Sequence, residues 1–269
     1  MEEFSPRRRD VKREAAFSSL KRLKTDLKIV EILVIFTTSA GCAAMPGLYD
    51  PVSITIRALL LCDLALAGSL RIDDRGTVYP TDTYMPIDEL HDEVHSKLRK
   101  AAKEKTVDKW ILLLNGESYS LMKDKYHIKN ARKRVGKMLV SKNILRKAKS
   151  KTKAFLEYIT NRGDGSVEGA SFKGAKAKVA LEVTAYLTGE EVYEEADVLK
   201  LDILVCAFAF CSVTEDLFLT LPPSAAEVAQ KKTHDIIGRY KGSLGDTSQP
   251  AKWAVHSILR AYLKLASWI

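Results

Sequence analysis

Over most of its length the chain places apolar residues three or four positions apart, and in two short stretches the period shortens to two, which predicts helices interrupted by hairpins. Asp50-Pro51 supplies a cap residue and then a proline at the first helical position, and the apolar run from Ile54 stops at Gly68, so one buried helix lies between them. The following "SLRIDDRGTVYPTD" predicts a hairpin around an Asp-Arg-Gly turn. Ile87, Leu90, Val94, Leu98 and Ala101 recur at helical spacing, and "TVDKWILLLNG" predicts a shorter helix, with Trp110 in the core and a stop at Asn115-Gly116.

Later, "NILRKAKSKTKAFLEYITN" turns from lysines to aromatic and β-branched residues and predicts a second hairpin over 144–160. Gly163, Gly165, Gly169 and Gly174 predict a loop over 161–175, and helices are expected near 176–188, 196–213, 224–237 and 251–268. Ser224 with Glu227 reads as a capping box, and Pro250 opens the last helix. No Gly/Pro-rich linker divides the chain. The expectation is a mainly α, single globular domain over 27–269 with one or two β-hairpins, one of them projecting, preceded by a basic N-terminal extension over 1–26.

Charge sharpens this picture through its distribution. The net formal charge is +9, yet residues 121–153 hold 13 Lys/Arg against Asp124 alone, a local +12, so the rest of the chain sums to −3. Residues 1–24 carry a second excess of 8 Lys/Arg over 4 acids. Positive charge concentrated on an acidic body implies an oriented encounter with an anionic partner, such as a phosphate, a nucleic acid or an acidic lipid surface. The greasiest runs, "ILVIF" and "ILVCAFAFC", are about half the ~20 residues of a spanning helix, so a membrane would be met at its surface.

Catalytic chemistry finds little support. Cys42, Cys62, Cys206 and Cys211 form no CxxC pair, and three of them sit in apolar runs, as buried thiols in a reducing compartment do. In "HDEVH", His91 and His95 stand one turn apart, but Asp92 replaces the glutamate that a zinc hydrolase uses. The "RGDG" of 162–165 reads as a turn. Neither a P-loop, a dinucleotide fingerprint nor a GxSxG elbow occurs, so the chain is not expected to be an enzyme.

The basic concentration centres on "HIKNARKRVGKMLVSKNIL", residues 127–145. Wound as a helix over 127–142, it puts Ile128, Ala131, Val135, Met138 and Leu139 on one stripe, with Lys129 and Arg132 together on a flank and Gly136 either leaving open surface beneath them or permitting close helix packing. Arg134 projects from the other flank, and Lys133 and Lys137 point outward. A lysine point charge beside an arginine fork suits a phosphomonoester. The competing expectation is a winged-helix-like nucleic-acid-binding protein, which would use this helix and the hairpin after it. A reader helix would present polar side chains along one outward face, whereas a phosphate pocket needs remote basic residues to converge.

Four segments in order, "LKIVEILVI", "IRALLLCDLALAGSLRI", "WILLLNGES" and "IKNARKRVGKMLVSKNIL", resemble the Golgi phosphoprotein 3 family over about 27–145, and more faintly to the end. The resemblance implies a non-enzymatic peripheral membrane adaptor on the cytosolic face of the Golgi. Its ligand would be phosphatidylinositol 4-phosphate, with no cofactor, and its partners the cytosolic tails of glycosyltransferases, coatomer and further copies of itself. The family's lipid pocket has basic residues at the positions of Arg57, Lys129 and Arg132; where it uses a tryptophan, this chain has Leu48 or Tyr49. Its membrane or self-association hairpin corresponds to 144–160, with Lys147, Lys149, Lys151, Lys153, Phe155, Leu156 and Tyr158. Its coatomer-associated arginines correspond to Arg7, Arg8 and Arg9.

Overall fold

The computed structural model describes residues 20–39, 50–82, 84–116, 125–147, 166–168, 170–242 and 249–266. An extended lead over 20–28 runs into α1 (Ile29–Ser39), followed by α2 (Pro51–Leu66). Asp50 caps α2 by accepting from the Val52 amide at 3.1 Å, Pro51 occupies the first turn, and the chain leaves through Gly68 at φ +68°. Twelve of the 16 residues of α2 are buried, as expected of a helix that is apolar all round and packed on every side.

The hairpin follows, β1 (Leu70–Ile72) antiparallel to β2 (Val78–Pro80), with Ile72 opposite Val78. Then come α3 (Glu89–Arg99), α4 (Val107–Asn115) and α5 (Ala131–Ser141), all packed against α2. Strand β3 (Leu145–Lys147) pairs antiparallel with β4 (Ser166–Glu168), Leu145 facing Glu168. The second hairpin therefore closes beyond 160, with its returning strand inside the stretch expected to be a loop. Helix α6 (Ala170–Thr188) begins earlier than its glycines suggested, because Gly174 sits on an exposed face. There a glycine costs only about 1 kcal/mol, while Phe172, Val179, Val183 and Leu187 are buried.

Helix α7 (Glu195–Phe210) breaks at Ser212, φ 55°, before the short α8 (Val213–Phe218). Helix α9 (Pro223–Lys241) has Pro222 as its cap and no side-chain capping bond, so the Ser224/Glu227 box does not form; the two prolines already place the start one residue earlier. Helix α10 (Pro250–Ala266) does open at Pro250 and packs along α2. Its Trp253 donates through Nε1 to the Ile72 carbonyl at 3.0 Å, which fixes the first hairpin to the body.

Two polar knots hold the helices at defined angles. Asp202, buried in α7, accepts from the Tyr186 and Tyr240 hydroxyls at 2.7 and 2.9 Å and from Arg239 Nη1 at 3.1 Å, joining α6, α7 and α9. Burial pushes its carboxyl above the ordinary carboxylate range. In the first half, the fully buried His91 has Nδ1 2.8 Å from Asp88 Oδ2 and Nε2 3.2 Å from Asp63 Oδ2, and the Lys28 ammonium also meets Asp88. Burial opposes a charge on the ring, but the Asp63 and Asp88 carboxylates outweigh it and lift its pKa to about 9. His91 is thus a cation that ties α3 to α2 and to the lead, and the described residues hold no cluster of three metal-ligating groups.

Helices α1 and α5 lie antiparallel, pinned at both ends. Arg132 Nη2 donates to the Thr37 carbonyl at 2.8 Å, a cation at the C-terminal turn of α1 where the helix dipole favours one. Lys142 reaches the buried Glu31 carboxylate, in the first turn of α1, at 2.7 Å. Cys62, Cys206 and Cys211 are buried free thiols, and Cys42 lies outside the described residues. No helix among the described residues is long and apolar enough to cross a membrane.

Candidate functional site

The site grows from one corner of the molecule, where the end of α1, the start of α2, the end of α4 and the start of α5 meet. Helix α4 stops at Gly116, φ +84°, and the Ile128 amide donates back to the Leu114 carbonyl at 2.9 Å. That bond brings the segment before α5 alongside the first turns of α2. Arg57, only 4% exposed, lies beneath it. Its Nη1 donates to the Ser53 carbonyl and hydroxyl at 2.9 and 2.7 Å, its Nη2 to the Ile128 carbonyl at 2.8 Å, and its Nε approaches the Leu114 carbonyl at 3.4 Å. The Ser53 hydroxyl in turn donates to Asn115 Oδ1 at 2.7 Å. Acceptors on three sides hold the guanidinium in one orientation, a degree of preorganisation that a planar fork is suited to.

Lys129 follows directly on the carbonyl that Arg57 holds. It lies in a turn and not on a helix: Asn130 adopts φ 55°, and α5 begins only at Ala131. The helix expected over 127–142 is thus shorter at its start, because the left-handed Asn130 interrupts the helical path. The apolar stripe holds: Ile128, Ala131, Val135 and Leu139 are buried and Met138 packs against the core. Gly136 is buried with them, so it leaves no open surface beneath the cations and serves close packing instead. Arg132 turns towards the end of α1, and Arg134 pairs with Glu93 and, at 3.1 Å, with Glu89 of α3, so it is a link between helices and not an outward charge.

Arg57 is therefore tied to the residue before Lys129, and Arg132 to the end of α1, from which the α1–α2 connection departs. Leu48 and Tyr49 belong to that connection and lie outside the described residues, as do Arg7, Arg8, Arg9, Lys149, Lys151, Lys153, Phe155, Leu156 and Tyr158. Lys147 is described only as a residue of β3. Beside the corner, a groove of about 490 Å³ separates the start of α3 from α5. Asp88, Glu89 and Leu90 line one wall, and Lys129, Lys133, Arg134 and Lys137 line the other. Ser53, Asn115 and the Ile128 carbonyl are the parts that sequence reasoning passed over. Ser53, one helical turn before Arg57, was the only one with a local signal.

Known proteins give this corner its context. The profile of the family described as Golgi phosphoprotein 3 (GPP34) matches residues 44–257, a span that includes Arg57, Lys129 and Arg132. A vacuolar protein sorting-associated protein 74 from Eremothecium gossypii is 29% identical over 109 residues, 37% of this chain. The match covers 33% of that relative, about a third of its length. Since the family profile extends over most of the chain and over every helix from α2 to the middle of α10, the protein belongs to the Golgi phosphoprotein 3 family.

Proposed function

We propose that the protein is a non-enzymatic adaptor that docks peripherally on the cytosolic face of Golgi membranes by holding the phosphate of phosphatidylinositol 4-phosphate. The supporting observation is the corner itself: Arg57, its donors turned to Ser53, Leu114 and Ile128, fixes the backbone that carries Lys129, and Arg132 is fixed at the end of α1. A phosphomonoester gains most from donors that are already oriented, since little side-chain entropy is then lost on binding. Lys133 and Lys137, lining the adjoining groove, add longer-range attraction to an acidic surface. The cytosolic tails of glycosyltransferases would be the cargo, coatomer would engage Arg7, Arg8 and Arg9, and the 144–160 region would meet the membrane or a second copy.

Co-sedimentation with liposomes tests the lipid step. Vesicles containing phosphatidylinositol 4-phosphate are compared with phosphatidylserine vesicles of matched surface charge, using the natural protein, Lys129→Ala and Lys129→Ala/Arg132→Ala. Loss of one charged hydrogen bond to phosphate should weaken binding to the first vesicles by about tenfold or more, and the double variant further. Because Arg132 also anchors α5, the single variant with an unchanged melting curve carries the test. Equal pelleting on both vesicle types would reduce the site to diffuse electrostatics, and preferential capture of duplex DNA would favour the nucleic-acid reading.

A further inference from the structure

The extended lead before α1 is seated in an acidic groove, and the manner of its seating is that of a bound peptide. Lys21 forms a parallel bridge with Tyr193: its amide donates to the Val192 carbonyl at 2.8 Å, and its carbonyl accepts from the Glu194 amide at 3.1 Å. The Leu23 amide donates to Asp197 Oδ2 at 2.9 Å, and the Lys24 amide to Glu182 Oε1 at 3.0 Å. The Lys21 ammonium pairs with Glu191, and Arg22 Nε with Glu194 at 2.7 Å. Leu23 packs against the core. Glu182 is only 4% exposed, and its second oxygen, Oε2, is buried without a hydrogen-bond partner among the described residues, so the groove holds an acceptor that the lead leaves unused.

Two properties separate this from ordinary packing. Main-chain bonds supply much of the contact, and these are available to any extended segment, as in strand-addition recognition. The side-chain ion pairs are partly exposed, and such pairs hold weakly. The main-chain bonds and Leu23 are thus the lead's principal hold, and a free segment offering the same bonds competes against the effective concentration that the tether gives the lead.

We propose that this groove, formed by Glu182, Glu191, Tyr193, Glu194 and Asp197, is a binding site for an extended basic peptide of a partner, occupied in cis by residues 20–24. The motif it accepts is two adjacent cations followed by an aliphatic residue, with a backbone amide after it for Glu182. The lead is then a built-in competitor, and the partner segment must displace it. Naming a client's cytosolic tail as that segment rests on the adaptor reading above, whereas the groove itself is tested without any client.

The probe is a fluorescent peptide of this chain's own residues 20–28, LKRLKTDLK, added to the full chain. A Lys21→Ala/Arg22→Ala protein, whose lead is weakened, should bind it at least about tenfold tighter than the natural protein, because the tethered competitor is weakened. Adding Glu191→Gln/Glu194→Gln should remove that gain. Equal binding by the natural and Lys21→Ala/Arg22→Ala proteins, or a gain that survives neutralising the groove, overturns the proposal. Hydrogen exchange on the natural protein gives a readout that needs no variant. Millimolar peptide should accelerate exchange of the Lys21, Leu23 and Lys24 amides while the Glu194 amide stays protected, since the peptide's carbonyl replaces that of Lys21. Unchanged exchange at all four positions overturns the proposal as well. Peptide capture together with failure of glycosyltransferase tails to bind leaves the groove standing and removes only the client.

Discussion

Residues 20–28 and residues 129–142 are both basic, but their charges are satisfied differently. In the lead, Lys21, Arg22 and Lys28 each meet a carboxylate of the body: Glu191, Glu194 and Asp88. In the second stretch the cations divide. Arg132, Arg134 and Lys142 turn back to α1 and α3, while Lys129, Lys133 and Lys137, beside Arg134, line the groove next to the candidate site. An extended segment sends its side chains to whichever acceptors flank it, whereas a helix distributes them around a cylinder, so that each meets a different neighbour. Density of charge along a chain therefore reports neither structural nor recognition roles; the packing partner decides. The two stretches even share an anchor, since Glu31 Oε2 accepts both the Lys28 amide and the Lys142 ammonium.

That contrast can be broken most severely at Lys142. Lys142→Ala leaves the Glu31 carboxylate buried without its cation and should lower the unfolding free energy by about 3 kcal/mol in a denaturant titration, with Lys142→Arg retaining most of the stability. Next comes the knot that receives Lys28. His91 is held at about 9 when folded, against 6.5 for an ordinary imidazole, so the stability it contributes is fully present below pH 6.5 and is lost as pH rises through about 9. The denaturation midpoint should fall between pH 7 and 9, by the equivalent of about 2 kcal/mol, and His91→Gln should flatten that slope.

Smaller effects separate the stretches by function. Lys133→Ala and Lys137→Ala should each reduce partition onto acidic vesicles about fivefold, from roughly 1 kcal/mol per lysine near such a surface. Lys21→Ala, the same substitution in the lead, should leave vesicle binding where it was. A loss there equal to that at Lys133 would erase the distinction between the two stretches.

Much of this architecture is legible in the chain, and the reasons are local. Asp50-Pro51 and Gly68 bound α2, Asn115-Gly116 ends α4, and the stripe from Ile128 to Leu139 marks the buried side of α5, because capping and periodicity act within a turn or two. What escaped depends on distant partners. Strand β3 takes its mate from 166–168, a choice that strand propensity over 144–160 does not encode. Arg134 as an outward charge, Gly136 as an opening and Lys129 as a helical residue all follow from an ideal helix; the acidic face of α3, the close packing of α5 and the left-handed Asn130 replace each of them. The candidate site was legible as three basic positions, but the carbonyl of Ile128 that orients Arg57 was not, since it lies 71 residues away.

The bond from the Ile128 amide to the Leu114 carbonyl closes the chain between α4 and the segment before α5. Gly116 reinforces it, as a β-carbon there would lie 2.9 Å from the ring of His127, and only glycine lets the two ends meet so closely. A larger residue at 116 would push the His127 ring aside and move with it the adjoining Ile128, whose carbonyl orients Arg57. The absence of a side chain at the end of one helix thus sets the aim of a guanidinium on another.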